Sequence, residues 1–383
     1  MMLASEEVLM LLTKPYRPDP RVAMEAKLLE RYFRVTIIAW DRERAYPAEE
    51  LISRGIRVLR IELEQKGGNT ISFALKLLSY WILALRKALR LNFRVVHCHD
   101  LDTLPLGLLI KTLKRGKVVL VYDAHEIYSE MVRARLPSPL CSLIKLFEVI
   151  LSTLADYLVV PSVELATFFP VNPGKVIVLP NCPPEVDPHS PTPPITEKFR
   201  AFTVVYAGGL TLKSGIVDLL RALAGLRGVR LIVAGLGPLE PLVRRVAKLA
   251  DNIEFLGYIP NEEVTRLVSK CHLAFVMYRP DDYNSVCSRP NKFIDAISMG
   301  VPVLGNKGTA FGKVIERSGC GIVIGFGDVV KMRRVVEELR DNRELLHRLS
   351  ERAKSLWELE RHRILRLREL FVERYKRIAS VRS

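Results

Sequence analysis

The sequence predicts an α/β protein made of two successive parallel-sheet halves. Three observations carry this. Short apolar runs alternate with stretches of helical spacing along most of the chain, the signature of strand–helix–strand units. One proline-rich stretch, PPEVDPHSPTPPITEK at 183–198, interrupts the alternation, which then restarts. The 383 residues allow two to three domains at about 150 residues each, with ample core for each.

In chain order, 8–12 is the first strand, because MMLASEEVLMLL carries early glutamates and lacks the basic start of a secretory leader. The loop TKPYRPDPRV leads into a helix spaced through Val22, Ala26 and Leu29, and 33–40 and 56–61 are strands. Residues 71–91, ISFALKLLSYWILALRKALRL, form a helix apolar around much of its surface, with Lys76, Arg86, Lys87 and Arg90 attached. Two readings stay open for it. One is a core helix with a basic solvated edge; the other is an interfacial helix on an anionic membrane, with Tyr80 and Trp81 at headgroup depth.

The runs RVVHCHD (94–100) and VVLVYDAHE (118–126) are strands ending in polar residues, where ligands gather in open parallel sheets. Metal binding by His97, His99, Asp100, Asp123, His125 and Glu126 matches no zinc spacing. Structural satisfaction and a sugar or acceptor site both stay open for these residues. Residues 140–154 are another apolar helix, and 157–161 and 175–179 are strands. Residues 183–198 cannot pack as helix or sheet and read as an interdomain linker.

The second half starts with a strand at 202–207, running into Gly208-Gly209, and a helix at 216–226. Strands at 230–234 and 253–256 run into GLGP and GYIP. The glycines, Gly235 and Gly237 included, let backbone approach a ligand closely. Residues 281–288 read as a polar loop, which opens the stretch NSVCSRPNKFIDAISMGVPV (284–303). Ser288 is its expected N-cap, Pro290 falls in the first helical turn, and Gly300 is the stop. That helix start, beside Asn291 and Lys292, is an anion site, and Asp295 one turn further in can accept bonds from sugar hydroxyls. Residues 331–382 form a charged helical tail with Trp357 and Phe371 on its apolar stripe.

Composition narrows the partners. The chain is 49% hydrophobic and 26% charged, hence globular. A net charge of +16 and a pI near 9.7 favour anionic partners such as phosphorylated small molecules or an anionic membrane surface. The basic residues are dispersed and form no aromatic-interleaved module, which excludes nucleic acid. Six scattered cysteines without a C-x-x-C pair fit a reducing, cytoplasmic setting, peripheral on the inner membrane face at most. No apolar run is long enough to span a bilayer.

The ordered succession DPRV-x-x-EA (19–26), VVHCHD, VYDAHE, VLPNCP, YAGGLTLKSGI, LIVAGLGP, IEFLGYIP and RPNKFIDAISMGVPV resembles the retaining glycosyltransferases of family 4 and covers nearly the whole chain. The resemblance implies the GT-B fold: two facing Rossmann-like domains with a cleft between. Domain 1–182 would bind the acceptor and 199–350 the nucleotide-sugar donor, with 351–383 a helix packing back on the first domain. It implies a lipid-linked or surface-glycan acceptor and transfer with retention, without metal or cofactor. The catalytic residues would be His125, Asp123 and Glu126. Donor contacts would come from Gly208, Gly209, Lys213, Gly235, Gly237, Tyr258, Ile259, Arg289, Asn291, Lys292 and Asp295, and acceptor contacts from Asp19, Arg21, His99 and Asp100. The chain departs from the family where a sugar-contacting glutamate is replaced by Cys287. It departs again where Gly209 and Ser214 stand for phosphate-neutralising Arg and Lys. Two alternatives follow: a nucleotide-sugar epimerase of the same fold, and a non-catalytic sugar-nucleotide binder.

Overall fold

The computed structural model describes residues 6–16, 19–65, 70–133, 136–182 and 197–380. The chain divides into two units, Met1–Pro180 with Arg366–Ser383, and Asn181–Leu365. Except for its last two residues, the linker expected at 183–198 lies outside the described residues.

The first unit runs β1 (Glu7–Leu12), α1 (Pro20–Glu30), β2 (Arg34–Asp41), β3 (Glu49–Leu51), β4 (Ile56–Glu62), α2 (Thr70–Leu89) and β5 (Val95–His99). It continues with α3 (Leu104–Leu113), β6 (Val119–Asp123), α4 (Tyr128–Val132), α5 (Ser138–Leu154), β7 (Tyr157–Val160), α6 (Val163–Ala166) and β8 (Val176–Val178). Its sheet order is β3-β4-β2-β1-β5-β6-β7-β8, parallel except for the edge strand β3. The central strands are nearly unbroken apolar runs because helices cover both faces of such a sheet.

The second unit runs β9 (Phe202–Ala207), α7 (Ile216–Leu223), β10 (Val229–Ala234), α8 (Glu240–Leu249), β11 (Ile253–Gly257), α9 (Asn261–Lys270) and β12 (Leu273–Phe275). Then come α10 (Tyr283–Cys287), α11 (Asn291–Ser298), β13 (Val303–Asn306), α12 (Ala310–Ser318), β14 (Gly321–Ile324), α13 (Val329–Asp341) and α14 (Arg343–Ser380). Its parallel sheet is ordered β11-β10-β9-β12-β13-β14. Strand order reverses at β1/β5 in the first unit and at β9/β12 in the second. The crevice beyond the strand ends at such a point is where open α/β sheets take ligands.

Four local expectations are corrected. The segment around 283–287 is the short helix α10 and not a loop, because Asp282 caps it, accepting from the Ser285 amide at 2.8 Å. Pro290, not Ser288, occupies the N-cap of α11, and no side chain caps that helix. The tail is two helices, α13 and α14, parted at Asn342, whose side chain accepts from the Leu345 amide. The last described turns of α14 bring Phe371, Val372, Tyr375 and Ile378 into the core around β1 and α1.

The fourth correction concerns α2, which is not a core helix: it buries only Tyr80, Ala84 and Ala88, and Ile71 is 70% exposed. Tyr80 does not reach the surface, and Trp81 is half-buried. The Tyr80 hydroxyl sits between the carbonyls of Leu12 and Ile38, and the Trp81 indole donates to the Asp102 carbonyl at 2.8 Å. Among the described residues, no helix is long and apolar enough to cross a membrane.

Candidate functional site

In the first unit the site begins where β5 and β6 end. Alternation along β5 sends His97 and His99 to one side, where their rings stack 4.4 Å apart. Asp123, the last residue of β6, is their common partner. Its carboxylate accepts from His125 Nε2 at 2.7 Å, from His99 Nδ1 at 3.0 Å and from the Arg21 guanidinium at 2.6 Å. Arg21 also pairs with Glu25 one turn along α1 and donates to the Leu179 carbonyl. Asp100, at φ +63°, turns the chain so that its carboxylate lies 3.6 Å from His125 Nδ1.

Burial pushes the Asp123 carboxyl up, yet Arg21 and His125 hold it well below the usual carboxylate range. Burial pulls His125 down, and the facing Asp100 and Asp123 outweigh it, raising the imidazole to about 9. His125 is therefore a cation at neutral pH. His99, buried and beside His97, falls to about 3 and stays neutral. Burial, then Asp123, pushes the Glu25 carboxyl well above its usual range. It stands 3.3 Å from His97 Nε2, and the other ring nitrogen of His97 meets the Tyr375 hydroxyl from α14.

The expected residues separate by role. His125 and Asp100 are partly exposed, and Glu126 is exposed, unlike the fully buried Asp123. The acceptor contacts expected of Asp19, Arg21 and His99 are corrected. Asp19 caps α1 by accepting from the Val22 amide, and Arg21 and His99 are buried beneath the site and committed to Asp123. Of the expected metal set, His97, His99 and Asp123 do converge among the described residues, with Glu25 joining them and Asp100, His125 and Glu126 outside the group. The Arg21 guanidinium already lies on both carboxylates, so a further cation there meets like charge. Glu25 and Tyr375 are missed by sequence reasoning. For Glu25 the signal was its spacing of four from Arg21 on one helix; for Tyr375 there was none.

In the second unit the glycines mostly serve the backbone itself. A Cβ on Gly235 would strike the Gly208 carbonyl, and one on Gly237 would strike the backbone of Leu210. The loops after β9 and β10 therefore lie directly against each other, joined by Leu210 N–H to the Leu236 carbonyl at 2.9 Å. Gly208 also leaves room for Lys292, whose Nζ would be 3.2 Å from a Cβ there.

The cations of this region differ. Lys213 is paired with Asp282 at 2.5 Å, and Arg289 with Glu360 at 3.2 Å. Lys292, in the first turn of α11, stacks over the rings of Tyr206 and Tyr278 at 4.6 and 4.9 Å. Among the described residues it has no carboxylate partner, and burial lowers it to about 8. Asp295 is buried one turn on, beside the first-turn residue Asn291, while Tyr258 is exposed and Ile259 half-buried. Cys287 is buried, and none of the six cysteines forms a disulfide.

Two family models match the chain: a glycosyl transferase 4-like domain over 20–182 and glycosyl transferases group 1 over 201–342. The chain belongs to the GT-B glycosyltransferases. GT-B architecture is also what it shares with sucrose-phosphate synthase from Thermosynechococcus elongatus, at TM-score 0.76 and 14% identity over 98% of this chain and 100% of that one. Alr3699/HepE of Anabaena, solved with UDP-glucose, superposes at TM-score 0.67 and 13% identity over 97% and 99%. An alpha-D-kanosaminyltransferase of Streptomyces kanamyceticus is 25% identical over 160 residues. That match spans 40% of this GT-B chain and 40% of the relative.

Proposed function

We propose that the protein transfers a glycosyl group from a nucleoside-diphosphate sugar to a lipid-linked or surface-glycan acceptor, with retention of anomeric configuration and without a metal. The observation that carries the donor half is Lys292, a cation without a carboxylate partner at the start of α11, in the crevice where strand order reverses. An anion there gains the unused amides of the helix start and the Lys292 charge together. Asp295 would hold the ribose hydroxyls. UDP-glucose, the ligand of the Anabaena neighbour, is the donor to test first.

His125 is the acceptor-side group. As an imidazolium braced by Asp123 and Asp100, it offers a fixed positive charge to oxygens of the transferred sugar. The protein's contribution to rate would be electrostatic: stabilising the departing diphosphate against an oxocarbenium-like centre.

A thermal-shift series with UDP and UDP-sugars tests the donor half. At about 100 times Kd a ligand adds roughly 2.7 kcal/mol, and Asp295→Ala and Lys292→Ala should each cut the shift to about half or less. A shift undiminished in both variants refutes this placement. Products from donor alone would instead indicate an epimerase, and binding without turnover a non-catalytic binder, the reading that Cys287 favours.

The acceptor half has a second support. Helix α5 is inverted: its buried residues are Glu148 and Ser152, while Leu143, Leu146, Phe147 and Ile150 face outward. Glu148 points inward to accept the Tyr128 and Ser129 amides at the start of α4. With the exposed Leu75, Leu78 and Ile82 of α2, this makes an apolar face on a chain of net charge +16, fitted to an anionic membrane on its cytoplasmic side. Neutralising Lys76, Arg86, Lys87 and Arg90 should abolish sedimentation with anionic vesicles; undiminished binding discards the membrane part.

A further inference from the structure

A groove of about 240 Å³ lies between α2 and α5, with α3 packed against both helices. Leu77 and Trp81 line it from α2, and Leu143, Phe147 and Leu151 from α5. Leu101 and Asp102 of the loop after β5 and Tyr128 just past the loop after β6 also line it. Those two loops also carry Asp100 and His125. The same pair of loops thus serves the candidate site and borders the groove, which sets the two side by side in the chain.

Asp102 marks the transition. Its carboxylate accepts from the Thr13 hydroxyl at 2.5 Å, and its carbonyl accepts from the Trp81 indole, which fixes Trp81 along the wall. Leu146 and Ile150 of α5 and Leu78 and Ile82 of α2, on the same two helices, are exposed as well. An apolar groove bordered by the loops of a polar site fits an amphiphile.

We propose that this groove holds the hydrocarbon chain of the lipid-linked acceptor and delivers its head group to Asp100 and His125. The inference rests on the glycosyltransferase reading above and commits that reading to an amphiphilic acceptor. The apolar walls supply affinity through burial of methylenes, and the length of the groove sets how much of the chain they cover.

The test is calorimetric titration of the full chain with n-alkyl β-D-glucosides of increasing chain length, each below its critical micelle concentration. Wild-type affinity should rise by up to about fourfold for each added methylene, then level off once the chain outruns the groove. Phe147→Glu should abolish the chain-length dependence and Leu146→Glu should keep it. These neighbours are both 55% exposed, and only Phe147 lines the groove. Leu143→Glu, at a second exposed lining position, should repeat the loss if Phe147→Glu folds poorly by near-ultraviolet circular dichroism. A flat chain-length dependence in the wild type overturns the proposal. Equal loss in Leu146→Glu and Phe147→Glu also overturns it, and assigns the contact to the whole apolar face. UDP affinity of the wild-type chain, titrated separately, reports on the glycosyltransferase reading, so UDP binding with no alkyl dependence sinks the groove alone.

Discussion

The hydroxyl of Tyr375, near the end of α14, hydrogen-bonds the Nδ1 of His97 in the centre of the first sheet. The two residues are 278 positions apart, and both are fully buried. This bond ties the returning helix to the floor of the histidine cluster, because His97 stacks on His99 and His99 bonds Asp123. Tyr375→Phe should leave His97 Nδ1 buried without its partner and cost about 1–3 kcal/mol. Urea unfolding measures this directly. An unchanged midpoint would mean that the bond contributes nothing to the fold.

Burial, then Asp123, raises the Glu25 carboxyl well above its usual range, which favours the neutral acid. Glu25→Gln keeps shape and neutrality and should cost less than about 1 kcal/mol, whereas Glu25→Ala opens a cavity and frees one face of Arg21. The pH dependence has a definite sign. A carboxyl raised in the folded state stabilises below its unfolded value near 4.3 and loses that contribution as pH climbs toward its folded value. The Gln variant should therefore lose less stability than wild type between pH 5 and 8. Parallel stability curves for the two proteins would show that Glu25 is ionised.

His125 titrates in the other accessible window. Raised to about 9 from an ordinary 6.5, it contributes stability that is complete below pH 6.5 and is lost as pH rises through 9. Proton NMR of the imidazole should report the high value, and Asp123→Asn should lower it by removing the closest carboxylate. Turnover should fall on the same basic limb. A His125 that titrates near 6.5 in the wild type would contradict the charged-site mechanism.

Lys292 and Lys213 should differ in their effect on UDP binding. Lys292→Ala removes a cation without a counter-charge, while Lys213→Ala removes one already neutralised by Asp282. Titration calorimetry should give a loss of at least tenfold for the first and only a few-fold for the second. Wild-type affinity should also weaken as pH rises through about 8, where Lys292 discharges. Equal effects of the two substitutions would reassign the phosphate contact.

Gly209 offers a gain of function. A Cβ there meets nothing nearer than the Thr211 methyl at 3.9 Å, and its backbone lies outside the left-handed region. Gly209→Arg should therefore fold normally and tighten UDP binding several-fold by restoring a phosphate-side cation. Ser214 cannot be restored in the same way, because it is buried and its hydroxyl donates to the Thr211 carbonyl. Weaker UDP binding in Gly209→Arg would show that the diphosphate does not pass this loop.

Much of the architecture was legible in the chain. Runs such as VLMLL and FTVVYA are apolar at successive positions because their strands are covered on both faces, and that signal is local. The polar ends of β5 and β6 read as meeting points, and folding does gather His97, His99 and His125 around Asp123. Burial was harder to read. Residues 140–154 read as an apolar helix with no sign of which face is covered, and the helix turns its leucines and isoleucines outward while its one buried carboxylate, Glu148, caps α4. Asp19 and Arg21 likewise read as ligand residues and are structural, one a cap and the other a counter-charge to Asp123.

The sequence by itself determined the two-sheet architecture and the family, because periodicity and motif order act over a few residues at a time. Which charges are free was decided only in three dimensions. Lys213, Arg289 and Lys292 look alike along the chain, and pairing to Asp282 and Glu360, 69 and 71 residues away, leaves Lys292 the one without a carboxylate among the described residues. The protonation of Glu25, His99 and His125 has the same origin. Burial and facing charge set it, and both come from strands and helices brought together by folding.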